Sequence, residues 1–421
     1  MKYYLIAGEP SGDLHGSRLI RAIRAEDPAA EVRCWGGDLM AAEGATVVKH
    51  YRELAFMGAV QIVKNLPTIL RNEKLCRADI AAFHPDRLVL IDYSGFNLRI
   101  AKWARPAGYD ISYYISPQVW ASRAGRVKQI KANVDRMLVI LPFEEAWYAA
   151  RGVQATFVGH PLLDVVKDAE DQARPWLLSG VEMQDAKKVE KQGDKHPPKD
   201  VSSNTSNKRQ PTAEGSSGAT QESSIVVALL PGSRHQEITV GLPLMLAAAA
   251  RFPEHDYVIA GAPAQDPAFY HTIIASCIST PLSNHGRAPE NIRVVMNDTY
   301  ALLQSAHAAI VTSGTATLET ALFGVPQVVV YKGNWLAYRI AKWMVGHRIK
   351  YISLVNLVMD APVVVELIQQ DFTPEKLADH LQKIIAGPER DRQLSDLQRL
   401  RERLGSGGAA QRAARAIVTS S

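Results

Sequence analysis

Short runs of β-branched and aromatic residues recur along this chain, separated by longer stretches with helical spacing. That alternation constrains the fold more than any other feature. Strand candidates in the first half are Lys2–Ala7, Val32–Trp35, Arg87–Asp92, Ile111–Ile115, Arg136–Leu141 and Ala155–Val158. In the second half they are Ile225–Leu230, Tyr257–Ala260, Ile292–Val295, Ala308–Thr312 and Gln327–Tyr331. Strands alternating with helices predict parallel α/β architecture. Several of these runs end directly in Gly, Pro, Ser or Asp, and in open α/β sheets ligands sit outside those carboxyl ends.

The two series of strands are parted by Glu182–Ser224, which holds no Phe, Trp, Tyr, Leu or Ile and carries seven basic and seven acidic residues. It cannot bury enough apolar surface to offset the entropy of ordering, and it reads as a flexible insertion. With about 150 residues per domain as a guide, a chain of 421 residues less this insertion predicts two domains. The expected organisation is an α/β domain at 1–166, the insertion at 182–224, a second α/β domain at 225–387, and a helix and tail at 388–421 that crosses back to the first domain. A cleft between two such halves is the default ligand site.

Composition removes several function classes. Cys34, Cys76 and Cys277 lie far apart without a CxxC, which argues against a disulfide scaffold or a cysteine zinc site and favours a reducing compartment. The net charge of +5 is too mild for a nucleic-acid binder. No apolar span reaches the roughly 18–20 residues of a membrane-crossing helix. The run Tyr3–Ala7 stops at Gly8 and Glu9, too soon for a signal peptide. A cytoplasmic protein touching a membrane from one side at most is expected. His15 and His160 lack metal-ligand spacing, so neither a metal nor another cofactor is expected.

Six segments could carry chemistry. Gly8–Gly16 (GEPSGDLHG) follows the first strand, where glycines let backbone approach a ligand and the following helix, read as Leu19–Ala25, offers its positive end. It is not GxGxxG, so no dinucleotide fingerprint is present, and a routine turn with Ser11 or Asp13 as helix cap is equally open. Asp92 ends an apolar strand and could accept a proton from a hydroxyl, or could form a turn. Arg123, Arg126, Lys128 and Lys131 suit a phosphate or a solvated face. Leu229–Arg234 places Ser233 and the planar fork of Arg234 after a strand, matched to diphosphate oxygens. Thr312–Glu319 offers a second anion site at Ser313, Gly314 and Thr315, with Glu319 one turn on to accept from sugar hydroxyls. Met57–Arg77 mixes Val60, Ile62, Val63 and Leu66 with Lys64 and Arg71, and either lies at a membrane interface or packs in the core.

Taken in order, AGEPSGDLHG (Ala7–Gly16), ELAFMG (Glu53–Gly58), IDYSGFN (Ile91–Asn97), SPQVWA (Ser116–Ala121), LPFE (Leu141–Glu144), FVGHPLLD (Phe157–Asp164), LLPGSR (Leu229–Arg234), TSGTATLE (Thr312–Glu319) and YISLVNL (Tyr351–Leu357) resemble the lipid-A-disaccharide synthases, hexosyltransferases of Gram-negative bacteria. The resemblance implies two Rossmann-like domains facing across a cleft in the GT-B arrangement. It implies transfer from UDP-2,3-diacylglucosamine to 2,3-diacylglucosamine 1-phosphate (lipid X), giving UDP and a β-1,6-linked disaccharide phosphate in lipid A biosynthesis. It places the general base at Asp92, the essential arginine at Arg234, and Asn356 and Glu319 in the UDP-sugar site. Gly95 stands where the family often has a second acid. Glu9, Ser11 and Gly12 would line the acceptor side, the inner-membrane surface would be a partner, and a homodimer is compatible with this reading. Competing readings are a sugar-nucleotide 2-epimerase on the same scaffold and a non-catalytic lipid- or nucleotide-binding protein.

Overall fold

The computed structural model describes residues 1–54, 66–120, 124–172, 224–279, 289, 291–333 and 350–419. Among these, thirteen strands form two wholly parallel sheets. The strands are β1 (Lys2–Ala7), β2 (Glu31–Gly36), β3 (Thr46–His50), β4 (Arg87–Ile91), β5 (Ile111–Tyr114), β6 (Arg136–Val139), β7 (Ala155–Phe157), β8 (Val226–Leu230), β9 (Asp256–Gly261), β10 (Ile292–Met296), β11 (Ala308–Thr312), β12 (Gln327–Tyr331) and β13 (Val365–Ile368). The first sheet runs β3-β2-β1-β4-β5-β6-β7 and the second β10-β9-β8-β11-β12-β13. The expected doubly wound α/β class holds for both.

Two compact units contain these sheets. The first takes the described residues of Met1–Gln172, Asn334–Val363 and Leu394–Ser421, the second those of Ala173–Gly333 and Val364–Gln393. The chain passes from the second unit to the first within helix Pro388–Arg403.

Burial explains why the central strands read as unbroken apolar runs. In β1, Tyr3, Leu5 and Ala7 enter one core while Tyr4 and Ile6 enter another, so both faces are covered. Helix Pro10–Glu26 lays Leu19, Ile20 and Ile23 on the first of these faces. Beside it, helix Ala409–Val418 contributes Ala410, Ala413, Ala414 and Ile417, a helical stripe whose small side chains permit close approach. Asp164 accepts from the N–H groups of Gly408 and Ala409, capping that helix, and Arg87 Nε donates to the Ile417 carbonyl at 3.1 Å.

Four features depart from the sequence expectations. The edge strands β3 and β13 were not foreseen, since TVVKH and VELI are mostly half-buried and lack the apolar runs of the central strands. The first helix begins at Pro10, not near Leu19, because proline suits the first turn and Gly12 fits where a Cβ would sit 3.0 Å from the Ala7 Cβ. The Gly-rich tail closes into a second helix, Ala409–Val418, after Gly408 turns with φ of 92°. Strands also end a residue or more early where Asp92 and Ile115 adopt φ of 43° and 62°, which breaks extended backbone.

Candidate active site

In the first sheet the chain runs from β1 through β2 to β3 on one side, then crosses back to β4 on the other side of β1. The crevice outside the carboxyl ends of β1 and β4 is therefore a topological switch point. Glu9 follows β1, and Asp92 follows β4. Glu9 is exposed at the cap position of helix Pro10–Glu26, and its side chain makes no capping bond.

Asp92 is held unusually. It and Tyr93 both adopt the left-handed region, with φ of 43° and 42°, a conformation that side-chain-bearing residues seldom take. The Asp92 carbonyl accepts from Asn97 Nδ2 at 2.9 Å and from the Tyr113 hydroxyl, and its N–H donates to the Tyr114 carbonyl at 3.2 Å. The Tyr93 ring lies on Gly8, where a Cβ would come within 2.4 Å of it, so only glycine fits there. Burial, then the neighbouring Glu9 charge, pushes the Asp92 carboxyl up to about 6, while the Tyr93 N–H pulls it down. A carboxylate poised there is ionised at neutral pH and still basic enough to receive a proton.

The reading of Gly8–Gly16 as a ligand loop needs correction. Pro10–Gly16 are helical, with Ser11 exposed in the first turn and Gly12 buried. Asp13 caps a different helix: its buried carboxylate accepts from the N–H groups of Gly37, Leu39 and Met40 at 2.8, 3.1 and 3.1 Å, fixing the start of Asp38–Ala42. Only Glu9 remains at the ligand edge. Two sheet strands along, Glu144 is buried after β6 and accepts from Ser116 Oγ at 2.8 Å and from the Leu141 N–H at 2.9 Å. Burial raises its carboxyl to about 7 against those bonds.

The second sheet repeats the geometry, with its switch point between β8 and β11. Gly232 after β8, with φ of 104°, comes so near the β11 end that its Cβ would lie 3.4 Å from Thr312 Cγ2. Ser233 and Arg234 thus sit beside Ser313, Gly314 and Thr315. Helices His235–Ala249 and Thr315–Leu322 begin at these loops and bring the positive ends of their dipoles there. Ser233, Arg234, Gly314 and Thr315 are exposed. Glu237, which the motif reading missed, holds the Arg234 guanidinium at 2.9 Å across i,i+3. Gly232 is favoured here by its left-handed φ of 104°, which strains any residue with a side chain. Glu319 accepts from the Tyr300 hydroxyl at 3.2 Å, and burial raises its carboxyl against that bond.

Other expected site residues fall elsewhere. Asn356 is buried in helix Leu354–Met359, which groups with the first unit, and its N–H donates to Ser353 Oγ. Arg126 Nη1 donates to Ser94 Oγ at 3.1 Å, close to the Asp92 turn, while Lys128 and Lys131 face solvent. Val60, Ile62, Val63 and Lys64 of the membrane candidate, the side chain of Leu66, and Arg123 lie outside the described residues, as does most of the insertion. Helix Leu66–Phe83 begins there with Pro67 in its first turn, and it exposes Leu70 and Leu75 beside Arg71 and Lys74. Among the described residues, no helix is long and apolar enough to cross a membrane.

The family model described as lipid-A-disaccharide synthetase matches residues 3–184 and 203–418. A lipid-A-disaccharide synthase of Syntrophus aciditrophicus is 35% identical over 420 residues, covering 99% of this chain and 96% of that relative. Among solved structures, the glycotransferase of kitacinnamycin aligns with a TM-score of 0.59 at 17% identity, covering 99% of this chain and 98% of that one. The UDP-GlcNAc 2-epimerase of Neisseria meningitidis, bound to UDP-GlcNAc, aligns with a TM-score of 0.56 at 10% identity, covering 99% and 98%. At such identities the structural likenesses speak for the fold alone.

Proposed function

The chain belongs to the lipid-A-disaccharide synthase family, and from that premise we propose how its two switch points divide the glycosyl transfer. The family makes it a glycosyltransferase that joins a UDP-linked acylated glucosamine to an acylated glucosamine phosphate. Asp92 is the general base that removes the proton of the acceptor 6-hydroxyl. Freed of that proton, the oxygen attacks C1 of the donor sugar in line, forming the β-linkage as the bond from C1 to the diphosphate oxygen breaks. The electron pair leaves on UDP.

The diphosphate binds at the second switch point. Ser233, Ser313, Gly314 and Thr315 supply donors, and the starts of helices His235–Ala249 and Thr315–Leu322 supply positive potential. Arg234 turns from Glu237 toward the leaving diphosphate and stabilises its growing charge. Glu319 and Asn356 contact the UDP-sugar, and Glu9 flanks the acceptor. The exposed Leu70 and Leu75 among basic residues rest on the anionic inner-membrane surface from which both acylated substrates come. The enzyme works as a peripheral protein on the cytoplasmic side. The proposed domains are those expected from the sequence, 1–166 for the acceptor and 225–387 for the donor, with 388–421 returning to the first.

The observation that carries this reading is Asp92: a carboxyl at a switch point, fixed by a strained turn and raised to about 6. Asp92→Asn is expected to lose about 10²–10⁴-fold in turnover, followed as UDP release together with disaccharide formation from the acylated donor and acceptor. Near-normal turnover with substrate binding intact would sink the assignment.

A further inference from the structure

Asn97 lies one turn into helix Ser94–Ala104 and is fully buried. Its Nδ2 donates toward three carbonyls: Asp92 at 2.9 Å, Ile91 at 3.1 Å and Ile6 at 3.4 Å. Ile6 belongs to β1 and Ile91 closes β4, so one amide spans the two strands of the switch point. The Tyr113 hydroxyl, from β5, reaches the same Asp92 carbonyl. Two consecutive left-handed residues persist only where their surroundings over-determine them. Here the surroundings are these two side chains below the turn and Gly8 under the Tyr93 ring.

Resting on Asp92 as the base, we propose that Asn97 is a positioning residue for the reaction: with the Tyr113 hydroxyl it pins the Asp92 carbonyl and thereby sets where the carboxylate stands at the ligand edge. A buried asparagine serving only as filler would not need to aim its donors at the ends of two strands. Neither side chain touches substrate in this reading, and both act through Asp92. Three charged groups bear on the turn, one of them Arg99 of helix Ser94–Ala104, which acts on Tyr93. Glu9 stands after β1, and Arg126 reaches Ser94 and lies near the Tyr113 hydroxyl.

The test compares Tyr113→Phe, which removes one hydroxyl at constant volume, and Asn97→Ser with the parent and with Asp92→Asn, all as the full chain. Expected are kcat losses of about tenfold and about 10²-fold respectively, with KM for both substrates within about twofold. The acid limb of kcat should move downward toward the ordinary aspartate range as the carboxyl leaves its buried place. Lowered thermal stability, with kcat per folded molecule and the acid limb unchanged, would overturn the proposal. If Asn97→Ser does not fold, Tyr113→Phe decides alone. An active Asp92→Asn would instead overturn the base assignment, whereas an inactive one beside fully active Tyr113→Phe and Asn97→Ser would overturn only the positioning role.

Discussion

Single residues hold both switch points in place, and their roles are unequal in how well a sequence displays them. Gly8 is required by contact: any side chain would strike the Tyr93 ring. Gly8→Ala should cost about 1–3 kcal/mol, as overpacking of a tight site does. Its melting temperature should fall, and its turnover should fall further than stability alone explains, because Tyr93 adjoins Asp92. Arg234 tests the other side. Arg234→Ala should reduce kcat by about 10²–10³-fold, the usual cost of losing a donor to developing negative charge. Arg234→Lys should recover only part of it, because an ammonium lacks the planar fork. Asp92 was legible as a polar residue directly after an apolar strand, and Arg234 as the arginine that ends the Pro-Gly-Ser turn after another. Glu237 was legible in principle, three residues beyond Arg234 at helix spacing. Tyr113 was not: its hydroxyl meets Asp92 only because β5 pairs with β4, and no local pattern announces that.

Elements were legible in proportion to their burial. The central strands announce themselves because both faces are covered, whereas β3 and β13 have one neighbour each and carry polar residues that mask their period. Helix Pro10–Glu26 hid its first two turns because PSGDLHG has turn composition, and tertiary contacts of Gly12 and Asp13 override that preference. Helix Leu66–Phe83 carries the membrane prediction. Leu70 and Leu75 are 55% and 45% exposed, beside Arg71 and Lys74 on the same face. Replacing both leucines by serine should weaken binding to vesicles containing anionic lipid by about tenfold, measured by co-sedimentation, with activity on detergent-dispersed substrates retained. Equal binding by variant and parent would return that face to an ordinary solvated role.

At the scale of the whole molecule, acid affects the first unit in opposing ways. Asp92 and Glu144 are raised to about 6 and about 7, so their protonated forms favour the fold. That contribution is complete below the ordinary values of 3.8 and 4.5 and is lost as pH rises through about 6 and about 7. His15 and His160 are lowered by burial to about 4 and about 3, so their contribution is present above 6.5 and is lost as pH falls through those values. Asp92→Asn isolates one of these effects. It should be more stable than the parent at pH 8, by about 1–2 kcal/mol after discounting for partial solvation, and the difference should shrink toward zero near pH 4. A constant difference across that range would show that Asp92 titrates normally in the fold.

The seating of Ala409–Val418 against Pro10–Glu26 also orders events during synthesis. A ribosome makes the β1 core first, yet the alanine stripe that covers one face of it is translated only after the whole second unit. Until then Leu19, Ile20 and Ile23 lack part of their cover, so the nascent first unit waits, incompletely sealed, while the second unit folds. Completion of the first unit thus follows translation of the second, and a messenger truncated before residue 409 would yield a chain with its apolar flank open to chaperones and proteases.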